Sequence, residues 1–500
     1  MTDATVATIN LGPLSLPLVS KSFRSLFPHC EYEKHISEAY SPPGFFIICG
    51  SRASKGVLKL AFLTHLNDGV KVVTIERSRI LDNVQKFRQE ISLALQIDDD
   101  SLRDKTGESL KKPVPFGHSP RWQIYSSDGS RRYHNIDLLI SMSAENPTGT
   151  SLLYTGGIFF WPGVKVGYER LVSGIQGFAD SGNKQLRLKT LSLRPLIFEI
   201  HDFITMQECD HLISKARRHL GDSVVSKMDG DEGKSDTTWR TSKTYFMPRG
   251  HTETLKMLER RVRDITRIPL SHAESAQILR YQKTGHYYTH HDYFDPNSYR
   301  NSRSTLDLVE NGAKNRLSTV FWYMSDVKSG GETNFPRFNG GPPPRDTKSC
   351  NVGLNVKPKK GKVIIFHNML PDGSLDPLSL HAGCSVTEGE KWSANKWIWN
   401  KPYSTNGWIG DEADLAKEAN VDLYTTNNSL HTHDYRHRIL GASSVFSGTI
   451  SSDGDMALFG ESISFNRYYI LLVGIVIGVL FSFRRMKCNK KISKRRKDKV

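Results

Sequence analysis

The sequence predicts a mainly β fold of the α+β class over residues 191–403, with helices packed on an antiparallel β sandwich or barrel. A separate α/β-type unit is expected at residues 1–190, and a transmembrane helix near the C-terminus. Three observations carry this reading. Two amphipathic helix patterns open the central region, at least five β-type runs follow them, and glycine- and proline-rich loops divide those runs. The 500 residues exceed one ordinary domain, and 38% hydrophobic with 24% charged residues is a globular composition.

In residues 1–190, FFIICG (45–50), VKVVTIER (70–77) and IDLLISMS (136–143) read as strands, and the segment from Val84 to Leu95 has helical spacing. No chemical motif accompanies them, so an accessory or partner-binding role is expected. Further along, Thr205 and Glu208 have capping-box spacing, in which a hydroxyl and a carboxylate satisfy each other's backbone amides at a helix start. Cys209, Leu212, Ile213, Ala216 and Leu220 continue that helix. A second one shows Leu255, Leu258, Val262 and Ile265 on one face. The runs QILRYQ, YYTHHDYF, LSTVFWYM, GKVIIFHNM and KWSANKWIW are strand-like, with loops such as NGGPPPRD (339–346) between them.

Residues 404–464 read as a polar linker, and 465–483 as a membrane span whose core, Tyr468 to Phe483, is uncharged. The +16 net charge is concentrated beyond it. From Arg484 to Val500 there are ten Lys or Arg against Asp498 alone, which leaves +7 for the other 483 residues. Such a tail suits anionic lipid headgroups, and no basic stripe interleaved with aromatics points to nucleic acid. Basic residues favour the cytoplasmic side, which would put the main body in the lumen of the endoplasmic reticulum. A chain without a signal peptide is instead inserted tail-first with its body in the cytosol; the lumenal arrangement is the expectation adopted. Six scattered cysteines make neither a zinc site nor a dense disulfide framework, though one disulfide remains possible.

The chemistry is carried by His290 and Asp292, two residues apart in YYTHHDYF, which on a strand point to the same face. One imidazole and one carboxylate so placed supply two ligands of a 2-His-1-carboxylate triad, and His381 in SLHAGC offers the third. His286 and His291 lie too far along the strand and on its opposite face. A dicarboxylic keto acid bound at such a metal needs a buried cation for its far carboxylate. Lys391 can supply that cation, with hydroxyls from Tyr281 and Thr333.

These residues sit in an ordered series: Tyr281, Gly285, Tyr287, His290 and Asp292; FWYMSDVKSGGETNFP (321–336); Lys357 to Gly361; LDPLSLHAGCSVTEGEKWSANKW (375–397). The series resembles the prolyl 4-hydroxylases, notably plant, algal and transmembrane members. The resemblance implies a double-stranded β-helix, or jelly roll, holding Fe(II) through His290, Asp292 and His381. It implies 2-oxoglutarate as cosubstrate on Lys391, Tyr281 and Thr333, ascorbate as reductant, and a peptidyl-proline protein as substrate. Arg316, Trp397 and Arg240 are then expected on the substrate side, Arg240 within a mobile loop at residues 224–242. Trp399 stands where the family often has a substrate-contacting histidine, which leaves room for the same chemistry on another substrate. An inactive, membrane-tethered binding protein is a third reading, but no ligand and no lysine is missing.

Overall fold

The structure, a computed structural model, describes residues 23–37, 39–51, 57–64, 71–76, 84–97, 122–133, 149–178, 184–231, 235–403, 457–458 and 461–462. It divides into two units, residues 1–425 and 426–500. The second is described only through a two-stranded pairing of Ala457–Leu458 with Glu461–Ser462.

The first unit begins with a six-stranded sheet. Its strands are β1 (Phe45–Ser51), β2 (Val57–Leu63), β3 (Lys71–Glu76), β4 (Gln123–Ser126), β5 (Arg132–Tyr133) and β6 (Thr150–Tyr154). They are ordered β3-β2-β1-β6-β4-β5, with every pairing antiparallel. The helix expected at Val84–Leu95 forms as α1 and packs Ile91 and Leu95 onto one face beside Ile48, Phe62 and Trp122. Among the described residues the sheet is therefore antiparallel with one helix, α1, on this face, not an α/β arrangement. The strand expected at 136–143 lies outside the described residues.

A nine-stranded sheet follows, with β7 (Glu169–Ile175), β8 (Lys184–Leu193), β9 (Leu196–Ile200), β10 (Gly221–Asp222), β11 (Lys243–Met247), β12 (Ala276–Tyr281), β14 (Arg316–Tyr323), β18 (Val363–His367) and β21 (Lys391–Trp399), ordered β10-β11-β12-β21-β14-β18-β9-β8-β7. A four-stranded sheet, β13 (Tyr287–His290), β19 (His381–Gly383), β16 (Thr333–Phe335) and β17 (Leu354–Val356), belongs to the same sheet-rich jelly-roll unit, with a short pair β15 (Ser329–Gly330) and β20 (Val386–Glu388).

Two expectations are corrected here. Residues 1–190 are not a separate domain, because β7 and β8 hydrogen-bond into the large sheet through β9. The other face of the first sheet, with Ile47, Leu152 and Tyr154, also joins the same apolar core as Phe198 and Leu258. Burial against a neighbouring layer, rather than sequence motif, decides where a domain ends. The second correction concerns sulfur: two disulfides form, Cys30–Cys49 and Cys350–Cys384, while Cys209 is free and buried.

The back of the large sheet is covered by two helices. In α2 (Met206–Ala216) the capping box is complete: the Glu208 amide donates to the Thr205 hydroxyl at 3.2 Å, and the Thr205 amide to the Glu208 carboxylate at 2.9 Å. That carboxylate also receives the buried Arg261 of α3 (Glu253–Thr266), which locks the helices together. Leu255, Leu258, Val262 and Ile265 of α3 are wholly buried. Strand alternation then sorts β14: Val320 and Trp322 face this helical core, while Phe321 and Tyr323 face the opposite side with Ile364, Phe366 and Phe335. The site opens on that opposite side. No helix among the described residues is long and apolar enough to cross a membrane, and residues 465–483 lie outside them.

Candidate metal and cosubstrate site

His290 ends β13 and His381 begins β19, and the two are direct partners in the antiparallel register. Cross-strand pairing thus joins residues 91 positions apart (381 − 290) with their rings 4.3 Å apart. β13 stops at His290, so Asp292 sits in the bend that follows rather than on the strand. It reaches the histidines because the Thr319 hydroxyl on β14 donates to its Oδ2 at 2.6 Å. The spacing argument finds the right pair for an incomplete reason: a hydroxyl of the facing sheet, not strand periodicity, aims the carboxylate.

The three side chains fit a metal ion. His290 Nε2 lies 3.8 Å from Asp292 Oδ1 and His381 Nε2 lies 3.7 Å from Oδ2, with the candidate ligand atoms all within 4.8 Å of one another. Each histidine donates Nδ1–H to a carbonyl two residues back, Tyr288 at 2.8 Å and Ser379 at 2.9 Å. That fixes the tautomer with the Nε2 lone pair turned inward, the outer-shell arrangement metal-binding histidines use. Burial, followed by the neighbouring His381, holds His290 well below the usual imidazole range, so it is neutral and able to ligate. Burial opposes the charge of Asp292, yet His381, His290, Arg316 and the Thr319 hydroxyl together hold it at about 2. Two imidazole nitrogens and one carboxylate on one side of a site suit a divalent first-row ion.

Lys391 and Tyr281 are register partners on β21 and β12. Lys391 is 2% exposed, with its Nζ 5.3 to 5.6 Å from the ring centres of Tyr281, Phe321 and Tyr323. Among the described residues Nζ makes no hydrogen bond or ion pair. Burial pulls this lysine down to about 7, partly offset by Glu332. A buried ammonium with no paired anion is a ready carboxylate seat. Thr333 is buried, and its hydroxyl accepts a hydrogen bond at 2.7 Å from the hydroxyl of Tyr323, one of the rings around Lys391.

The profile of the 2OG-Fe(II) oxygenase superfamily matches residues 276–399, a span that contains every one of these groups. Prolyl 4-hydroxylase 5 of Arabidopsis thaliana is 40% identical over 227 residues, 44% of this chain and 73% of the relative. Probable prolyl 4-hydroxylase 10 of the same plant is 40% identical over 228 residues, 44% of this chain and 74% of that one. The chain belongs to the prolyl 4-hydroxylase family. Like other members of the 2OG-Fe(II) oxygenase superfamily, it is a 2-oxoglutarate-dependent dioxygenase. A solved viral collagen prolyl hydroxylase, from Paramecium bursaria Chlorella virus-1 in its 2OG complex, aligns over 41% of this chain and 95% of its own, at 25% identity and a TM-score of 0.29.

For a prolyl 4-hydroxylase family member, the three expected substrate-side residues lie close to the metal cluster but are heavily engaged. Arg316 donates to both oxygens of Glu274, at 2.6 and 3.1 Å, and to the Asp292 carbonyl at 3.2 Å. Its guanidinium lies 3.6 Å from the ring centre of Trp397. Arg240 sits over the Tyr287 ring at 4.5 Å, and that ring stacks on His290 at 3.5 Å. Trp399 is fully buried and donates its Nε1–H to Glu274 at 2.7 Å, so it is a core residue and offers no surface to a substrate. His291 turns to the Pro377 carbonyl and His286 stacks on Tyr288, so neither joins the cluster.

Sequence reasoning missed Thr319, Tyr323 and Glu274. For the first two a signal existed: alternation in LSTVFWYM puts Thr319, Phe321 and Tyr323 on one face, and a hydroxyl, a ring and a phenol there announce a lined site. Glu274 lies outside any strand, and only its tertiary contacts reveal it.

Proposed function

We propose that the chain hydroxylates peptidyl proline at C4, with 2-oxoglutarate and O₂ consumed and succinate and CO₂ released. The observation that carries this is the convergence of His290, Asp292 and His381 on one point, with the unpaired, buried Lys391 in the same site. The relatives' names supply the substrate class.

In this reading His290, Asp292 and His381 hold Fe(II), which when bound supplies the oxidative chemistry that couples decarboxylation of 2-oxoglutarate to hydroxylation. Lys391 binds the far carboxylate of 2-oxoglutarate, and Tyr281 and Thr333 add hydroxyl donors. Phe321, Phe335 and Phe366 keep water from this end of the site, since all three are buried. Glu274 holds Arg316 and Trp397 as one wall of the peptide channel, and Arg240 with Tyr287 forms the other. The loop at residues 224–242 closes over the peptide. Ascorbate serves as reductant for iron that has become oxidised. Residues 465–483 anchor the protein in the endoplasmic reticulum membrane with the catalytic unit lumenal. The two disulfides support that placement, since such bonds persist in an oxidising compartment.

The test is turnover by the full chain with Fe(II), 2-oxoglutarate and a panel of collagen-like and other proline-rich peptides. Mass spectrometry should find one added oxygen on proline. CO₂ release without any peptide oxidation would retain the dioxygenase and remove the prolyl assignment. Occupancy of the sequon at Asn427 by glycan would support the lumenal side, and its absence in a secretory host would count against it.

A further inference from the structure

Away from the iron site, a cleft partly open to solvent lies between the six-stranded sheet and β18 of the large one. Tyr154, Phe160 and Trp161 wall one side, and Leu196, His367 and Met369 the other. All of these except Leu196 are buried, so the walls are fixed by the core and not by loose surface side chains. Concave, mostly apolar space with a few polar groups is the usual character of a small-molecule site.

One buried polar atom among the lining residues lacks a partner. His35 is 4% exposed, yet its Nδ1 has no hydrogen-bond partner, and a buried nitrogen left unpaired is costly enough to demand an explanation. His367 points its Nδ1 at the Leu196 carbonyl at 3.3 Å, which makes that nitrogen the N–H and leaves Nε2 as an acceptor. Burial pushes His35 down to about 3 and His367 to about 4, so both rings are neutral near pH 7. Asp376 adds a buried carboxyl to the lining, and no lysine or arginine lines the cleft. An anion would meet two neutral imidazoles and a carboxyl in the lining itself, while Arg170, Lys34, Arg194 and Arg337 act on His35 and Asp376 only from outside it.

We propose that this cleft binds a small, neutral, ring-containing molecule that carries a hydroxyl able to donate a hydrogen bond to an imidazole nitrogen of His35 or His367. The apolar body fills the space between Phe160, Trp161 and Met369, and the hydroxyl donates to one of the two rings. This site is separate from the metal and cosubstrate residues and stands whether or not the chain acts on proline.

The probes are p-cresol, toluene and benzoate, titrated into the full chain labelled with ¹⁵N-histidine. The expected result is that p-cresol moves the imidazole nitrogens of His35 and His367, toluene binds at least fivefold more weakly, and benzoate does not compete. His35→Phe and His367→Phe keep an aromatic ring in place; at least one should weaken p-cresol about fivefold and leave toluene within twofold. If p-cresol shifts neither imidazole in the unmutated chain, the proposal is overturned, whatever the variants do. It is equally overturned if benzoate binds as tightly as p-cresol, or if neither variant separates p-cresol from toluene.

Discussion

Raising the pH from 6 to 8 should weaken 2-oxoglutarate binding about tenfold. Lys391 has an ordinary value of 10.5, and burial brings it to about 7 in the empty site. Only the ammonium form pairs with a carboxylate. With that value, roughly nine-tenths of the free protein carries the charge at pH 6 and roughly one-tenth at pH 8. The cosubstrate's carboxylates are ionised throughout, so the lysine alone sets the trend. Bound 2-oxoglutarate raises the lysine again, and binding at pH 8 must take up close to one proton. The same depression affects stability with the opposite sense. The folded chain holds fewer protons than the unfolded chain between about pH 7 and 10.5, so burying Lys391 costs most below pH 7 and ceases to cost as pH rises through that window. Lys391→Met should therefore abolish turnover at ordinary 2-oxoglutarate concentrations while leaving the Tm equal or higher at pH 7. The assay is calorimetric titration of the Mn(II)-loaded protein under argon, in buffers of different ionisation enthalpy. Binding at pH 8 without proton uptake, or affinity flat from pH 6 to 8, would refute the assignment of Lys391 as the cosubstrate's anchor.

Three further outcomes follow from the same geometry. His381→Ala should remove stoichiometric Fe(II) binding and CO₂ release together, while circular dichroism stays unchanged; retained iron binding would mean that the cluster is not the metal site. Thr319→Val deletes the 2.6 Å hydrogen bond to Asp292, a charge-assisted contact of ~1.5–3 kcal/mol. It should therefore raise the Fe(II) requirement in the turnover assay by about 10- to 100-fold, with the 2-oxoglutarate KM unchanged at saturating iron. In α3, Leu258→Ala empties a fully buried position against the large sheet and should cost ~2–5 kcal/mol in denaturant unfolding; a loss under 1 kcal/mol would show that this helix does not carry the core it covers.

Much of the site is legible in the amino-acid order because its elements are local. A capping box, an amphipathic helix face and the His-x-Asp spacing are short-range patterns; Thr205, Leu258 and His290 stand where those patterns put them, whereas Asp292 has left the strand and joins the cluster from the bend beyond it. The ordered motifs from Tyr281 to Trp397 tie the distant His381 and Lys391 to them through family resemblance. What stays hidden is what two distant segments decide jointly. The register that sets His290 opposite His381, the Thr319 hydroxyl that aims Asp292, and the Glu274 carboxylate shared by Arg316 and Trp399 exist only across strands.

The sequence by itself therefore singled out the candidate side chains for binding a metal and a keto acid, and the helices and strands on which most of them lie. Tertiary structure alone decided that β7 and β8 extend the large sheet, that Cys30 pairs with Cys49 and Cys350 with Cys384, and that Lys391 is sealed from water among Tyr281, Phe321 and Tyr323. The physical reason is range: backbone preference and periodicity act over a few residues, while burial, charge stabilisation and strand register depend on whichever remote segment comes to lie alongside.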